Sequence, residues 1–482
     1  MTACAGRRTG SGSGPASEPS LSAANASAPN ADSVGACQAP AVAAGSLADT
    51  PVTDPVVSFD SAWAIVARTH WDTTYNGVNW RRVREELRPK AIAAKTTGEL
   101  RSVLNDMVGR LKQSHFSIIP RESSDGATSN TSTTATSSSA SPSAGSGKEP
   151  GTIGVTLRLV DRSLLVTAID DGSRAAAAGV KPGWTLEAVD GCPLAPRLGR
   201  IPANVDPRRR ALLGYSIGAA ALAGAAGDTV HAVFRDGANV SRALTLTRGP
   251  ERGTLAKFGN LPPIPSYLEF ERVVQGARTI GVIRFNIWMP VLAPQFDAAI
   301  DSLRDTDGIV LDIRGNFGGL GIMAAGFSGH FVDSARTIGT MYQRSGPMKF
   351  IANPRTVDTR ARPVAPFSGP LAVVVDELSI STSEIFAAGI QVLRRGRIFG
   401  VQTAGQALPS IPERLPNGDI LYHAIADFTS PDGKPVEGVG VRPDEVIPVT
   451  RKSLLEGKDP ALDAAISWAA VTATAKRKPL PQ

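Results

Sequence analysis

Three serines crowd one short turn: Leu371-Ala-Val-Val-Val-Asp-Glu-Leu-Ser379-Ile-Ser381-Thr-Ser383-Glu384. The apolar run Leu371 to Val375 predicts a buried strand, and Ile385, Ala388 and Ile390 open a helical pattern after it. A serine at a strand-to-helix turn can present its hydroxyl as a nucleophile. The N–H groups of the helix start are then free to hold an oxyanion. The same letters also spell a helix cap, with Ser381 as cap and Glu384 three residues on. A second stretch, Gly308-Ile-Val-Leu-Asp312-Ile-Arg314-Gly315-Asn316-Phe317-Gly318-Gly319, is a strand running into a glycine turn. Glycine lacks a Cβ, so its N–H can approach a carbonyl closely. An ordinary tight turn fits as well, whereas a phosphate loop would need GxxxxGK[ST], which is missing. The third piece is Ser114-His115, just after an amphipathic helical stretch. A lone histidine is more often a surface or core residue than a base, yet its pKa suits proton transfer from serine near neutrality.

These groups need elements to position them. Val56 to Pro120 is helical in pattern: one stretch opens at Ser58, a second runs from Trp80 to Ile92, and a third places Leu100, Leu104, Met107 and Leu111 at helical spacing. Glu122 to Gly147 is a Ser/Thr/Gly linker, flexible by composition. From Ile280 to about Ala470 strands and helices alternate. The runs at 279–285, 308–314 and 371–375 suit a sheet buried on both faces, with helices over Pro294 to Leu303, Gly321 to Phe331 and Ser383 to Leu393. The expected class is α/β.

Composition excludes several functions. The net charge of +7 is small for 482 residues, and no basic block exceeds Arg208-Arg209-Arg210, so nucleic-acid binding has little support. No run of about 18 apolar residues exists to span a membrane. Three cysteines without a CxxC or a Cys/His cluster indicate neither a zinc site nor a disulfide framework. Cys37 and Cys192 could bridge only in an oxidising compartment. Residues 1–54 are too poor in apolar side chains to fold and read as a disordered tail.

Between 151 and 252 the chain resembles a PDZ domain. Gly151-Thr-Ile-Gly-Val-Thr-Leu reads as its opening loop and strand, and Gly172-Ser-Arg-Ala-Ala-Ala-Ala-Gly-Val-Lys-Pro-Gly-Trp as its short helix and glycine turn. The segments at 227–235 and 243–248 read as closing strands. Leu194 to Gly218 departs from the pattern as an insertion. The resemblance implies a groove that takes a polypeptide tail as an added strand; a domain that only braces the rest is the alternative.

From about Val56 to Ala470 the pieces, in their order, resemble serine peptidases of the C-terminal processing and tricorn family. The resemblance implies a ClpP/crotonase-like core over 253–475, a helical domain over 55–120, the linker at 121–150 and the inserted PDZ-like domain at 151–252. It selects Ser381 as nucleophile, matches Ser114 and His115 to the tricorn-type base and its supporting hydroxyl, and matches Glu437 in Val436-Glu437-Gly-Val-Gly-Val-Arg-Pro-Asp444. The oxyanion hole falls to the N–H groups of Gly318 and Thr382. Members with a Ser-Lys dyad carry lysine where this chain has Gln406, which cannot act as a base. Phe317 stands where many members have glycine, leaving open which glycine faces the oxyanion. No metal or cofactor is implied, and kcat/KM should rise with pH through one group near the histidine range. The implied activity is an acyl-enzyme endopeptidase. The alternatives are an inactive peptide-binding scaffold and a crotonase-like acyl-CoA enzyme. A small residue before Cys4, with a soft tether after it, resembles a lipoprotein start and suggests the bacterial envelope or periplasm. The charged and apolar parts of a signal peptide are absent, so either the start is assigned too late or the resemblance is chance, and the cytoplasm is then the alternative.

Overall fold

The computed structural model describes residues 50–52, 54–121, 149–257 and 259–476. The tail with Cys4 and Cys37, and most of the Ser/Thr/Gly linker, lie outside the described residues. Helices α1 (Pro55–Thr69), α2 (Trp80–Ala93) and α3 (Thr97–Gly109) form the first block. Their apolar stripes meet in one core: Phe59, Ala62 and Val66, then Val83, Leu87 and Ala91, then Leu100, Leu104 and Met107. A capping box starts α3, with Glu99 N–H on Thr96 Oγ1 at 3.2 Å and Thr96 N–H on Glu99 Oε2 at 3.4 Å. After α3 the chain turns through Ser114-His115 into β1 (Ser117–Ile119), which pairs antiparallel with Ile420–Ala424. The ion pair of Arg101 with Asp419, at 2.6 Å, fastens the same contact.

The middle block is an antiparallel sheet in the order β2 (Val155–Val160), β3 (Ser163–Ile169), β4 (Thr185–Val189), β5 (Thr229–Arg235) and β6 (Ser241–Thr247). Between β4 and β5 runs helix α4 (Pro207–Leu222), built largely from the segment that read as an insertion. It lies close on the sheet because Gly214 and Gly218 face it. A Cβ on Gly214 would stand 2.7 Å from Leu159, and one on Gly218 2.9 Å from Leu164.

The third block is a six-stranded sheet in the order β7 (Leu268–Gln275), β8 (Arg278–Phe285), β9 (Gly308–Asp312), β10 (Leu371–Val375), β11 (Arg397–Gly400) and β12 (Glu445–Val446). Strands β8 to β12 are parallel, and β7 runs antiparallel at the edge. Both faces are covered, as the unbroken apolar runs require. Helices α5 (Ala293–Leu303), α6 (Gly321–Ser328) and α7 (Thr382–Val392) pack Phe296, Phe327 and Phe386 on Ile309, Leu311, Val373 and Val375. Helix α8 (Pro460–Lys476) packs Leu462, Ala465 and Ile466 on Val310, Ala372, Val374 and Phe399. Each large side chain buried this way contributes about 1.5–3 kcal/mol. Among the described residues no helix is long and apolar enough to cross a membrane.

Candidate active site

The β10–α7 turn separates its three serines by their surroundings. Ser379 Oγ donates to the Ile313 carbonyl at 2.8 Å and accepts from Asp376 N–H at 3.0 Å. Ser383 Oγ donates to the Asn316 carbonyl at 2.9 Å and accepts from the Trp288 indole at 2.9 Å. Both are fully buried. Ser381 is only half-buried and holds the N-cap position of α7, in a capping box with Glu384. Its backbone sits at φ 57°, ψ −116°, a region that costs an L residue of order 1–3 kcal/mol. The surroundings hold it there: Ser381 N–H is shared between the Gln406 carbonyl at 2.9 Å and Glu384 Oε2 at 3.1 Å.

Glu384 lies fully buried beneath this turn. Besides Ser381 it accepts from Thr403 Oγ1 at 2.5 Å, Gly405 N–H at 2.7 Å and Gln406 N–H at 2.9 Å. Burial pushes its carboxyl up to about 7, against four donors that favour the ionised form. The capping-box residue therefore binds the 403–406 loop to the serine turn.

Glu437 meets Ser114 and His115 although it lies 323 positions after Ser114. Glu437 Oε1 accepts Ser114 N–H at 3.0 Å, and Oε2 accepts Ser114 Oγ–H at 2.9 Å and Ala407 N–H at 2.9 Å. Burial raises the Glu437 carboxyl above its ordinary value. Ser114 Oγ lies 2.7 Å from His115 Nδ1. Since the hydroxyl proton goes to Glu437, Nδ1 must be the donor, and Nε2 keeps its lone pair. His115 is half-buried and packs its ring against Tyr422 at 5.7 Å between centroids, and burial lowers its pKa to about 4. Gln406 and Ala407 connect the two halves, one accepting from Ser381 and the other donating to Glu437. No hydrogen bond joins Ser381 Oγ to His115 Nε2 among the described residues.

The glycine turn lies directly against Ser381. A Cβ on Gly318, at φ +98°, would stand 2.6 Å from that of Ser381. Thr382 Oγ1 donates to the Gly319 carbonyl at 2.8 Å and locks the turn to the helix start. The Gly318 N–H donates to Asn316 Oδ1 at 3.0 Å, whereas Thr382 N–H belongs to the first helical residue, which has no partner within the helix. Phe317 packs on Tyr215 of α4, with ring centroids 5.4 Å apart. Among the described residues no group of His, Cys, Asp and Glu has the arrangement to hold a metal ion.

Sequence reading missed the contact between the turn and the middle sheet. Arg158 on β2 donates to Asp376 Oδ2 at 2.6 Å, while Asp376 Oδ1 accepts Gly315 N–H at 2.9 Å and Leu378 N–H at 3.0 Å. Both side chains are about nine-tenths buried. Breaking such a pair leaves an uncompensated buried charge, so Arg158→Ala should lower stability by about 3–5 kcal/mol. A urea midpoint within error of the parent would show that Asp376 is held adequately without it. An arginine in a β-strand carries no periodic signal, so nothing in the sequence pointed to this pair.

Comparison with known proteins covers most of these elements. Residues 279–447 match the profile of Peptidase family S41, and residues 51–109 match that of the Tricorn protease C1 domain. The region with the middle sheet is covered by neither. The chain is 26% identical over 412 residues to carboxyl-terminal-processing peptidase 2, chloroplastic, of Arabidopsis thaliana, covering 82% of this chain and 70% of that protein. It is 24% identical over 403 residues to the carboxyl-terminal-processing protease of Synechocystis, covering 83% and 82%. The solved photosystem II D1 C-terminal processing protease shares the fold at a TM-score of 0.53 and 21% identity, over 85% of this chain and 99% of that one.

Proposed function

We propose that this chain is a serine peptidase of family S41, of the carboxyl-terminal-processing kind, with Ser381 as its nucleophile and His115 as its base. The observation that carries the reading is the hydrogen-bonded run Glu437–Ser114–His115, which leaves Nε2 as the acceptor. Ser381 Oγ attacks the scissile carbonyl, and Nε2 takes its proton and returns it to the leaving amine, giving an acyl-enzyme that water then hydrolyses. Ser114 and Glu437 fix the tautomer and steady the imidazolium. The Thr382 N–H holds the oxyanion, joined by Gly318 N–H when it exchanges Asn316 Oδ1 for that oxygen. The ground-state site is looser than the reacting one, because His115 and Ser381 must close on each other around bound substrate. Incubation with an unstructured protein and an organophosphonate tests this. Cleavage, with the label on Ser381, is expected; neither would favour the scaffold reading.

The blocks at 55–120, 151–252 and 253–475 act in this reading as helical domain, PDZ-like domain and ClpP/crotonase-like core. The PDZ-like domain recruits polypeptide tails along β2, an edge strand beside α4. Deleting it is a poor test, since Arg158 and Tyr215 touch the catalytic turn. A competing peptide with a free C-terminus is cleaner: it should slow cleavage of proteins and spare a short ester substrate. Equal inhibition of both would leave the domain a bracing role only.

A further inference from the structure

Arg208, at the start of α4, spends its guanidinium on two partners at once. Its Nε and Nη2 meet the two oxygens of the N-cap residue Asp206 at 3.0 and 3.1 Å. Nη1 donates to the Val439 carbonyl at 2.6 Å, and the second proton of Nη2 reaches the Gly438 carbonyl at 3.1 Å. Those carbonyls follow Glu437 directly. The group is well covered, with the side chain 19% exposed. Gly405 lies against it, where a Cβ would stand 2.8 Å from Nη1. Gly405 in turn accepts from Gly438 N–H at 2.8 Å and donates to Glu384 at 2.7 Å.

The turn that Arg208 grips is also held from within, Val439 N–H and Gly440 N–H donating to the Val436 carbonyl at 3.2 and 2.8 Å. Gln402 Nε2 shares the Val439 carbonyl at 2.7 Å, so that Arg208 is the charged member of this hold and alone takes the Gly438 carbonyl among the described residues. Gly438 and Gly440 sit at φ +73° and +72°, where glycine is easily accommodated but also most free to leave. We propose that Arg208 is a positioning residue for proton transfer: by holding the Gly438 and Val439 carbonyls it fixes the Glu437 carboxylate, and through it Ser114 and His115. This rests on the roles given above to those three residues. Lysine cannot replace it, because a point charge cannot face a bidentate carboxylate and two successive carbonyls together. The basic triplet Arg208-Arg209-Arg210 is then, at its first residue, part of the site's support.

A double-mutant cycle on the whole protein, read with a short ester substrate, tests this. Arg208→Ala should lower kcat by about 10- to 100-fold, the loss that a displacement of order 1 Å brings, with KM little changed. Arg208→Lys should recover little of it. In a Glu437→Gln background the same substitution should cost nothing further, since the group it positions is already gone. An unchanged kcat in Arg208→Ala overturns the proposal. So does an equal loss in both backgrounds, which marks Arg208 as a brace for the fold. Full activity in Glu437→Gln alone would instead bring down the reading of the base, and the proposal with it. Should Arg208→Ala fail to fold, Asp206→Asn serves: without the charged, two-pronged anchor on Nε and Nη2 the guanidinium holds the Gly438 and Val439 carbonyls less firmly, so a smaller kcat loss in the same direction is expected, and none overturns the proposal.

Discussion

Replacing Ser381 by alanine should reduce peptide cleavage by a factor on the order of 10⁴–10⁶, the range seen when a hydrolase loses its nucleophile and keeps its binding and oxyanion groups. Fold and peptide binding should survive, because the turn is tied to Gln406 and Glu384 by the Ser381 N–H, which the substitution keeps. The neighbouring serines should behave in the opposite way. Ser379→Ala strips a buried hydroxyl from the Ile313 carbonyl and Asp376 N–H, and Ser383→Ala strips one from the Asn316 carbonyl and the Trp288 indole. Each should cost about 1–3 kcal/mol of stability while organophosphonate labelling persists at permissive temperature. Labelling lost in Ser379→Ala or Ser383→Ala and kept in Ser381→Ala would move the nucleophile to another residue.

The second large effect is acid inactivation. His115 must be neutral to accept a proton, so kcat/KM should rise with pH as the group deprotonates. Desolvation lowers its pKa from 6.5 to about 4, so the rise should fall below the ordinary histidine range that sequence reasoning predicts. Glu437 is raised by burial and touches the same hydroxyl, so the limb belongs to the Glu437–Ser114–His115 group as a unit. Stability follows with a definite sign. The folded His115 binds its proton less readily than the unfolded one, so its contribution is present above about 6.5 and is lost as pH falls through about 4. His115→Ala should remove the limb together with activity, by a factor similar to that for Ser381→Ala. A half-maximum near pH 9, or near-native activity in His115→Ala, would assign the base to an amine instead.

The sequence by itself determined the elements and the residue types. Apolar runs without alternation at 308–312 and 371–375 require strands covered on both faces, and helices α5 to α8 cover them. Helical spacing in α1 to α3 located the first core. The strand-turn at Asp312 to Gly319, the serine turn and Ser114-His115 stood out as letters, whereas Glu437 and the choice of Ser381 came from the resemblance to the C-terminal processing and tricorn peptidases. Only the tertiary structure shows how their surroundings differ and what supports them. Ser379, Ser381 and Ser383 are alike as letters, and what distinguishes them is which hydroxyls are already bonded to Ile313 and Asn316, partners more than sixty residues away. Gln406, read only as an absent lysine, proved to be a backbone acceptor for Ser381. Arg158 and Arg208 lie in the inserted block and reach Asp376 and the Gly438–Val439 carbonyls through contacts more than two hundred residues apart. Periodicity reports which face of an element is apolar. It does not report which distant backbone carbonyl a guanidinium will meet, because that depends on how the three blocks are fastened together.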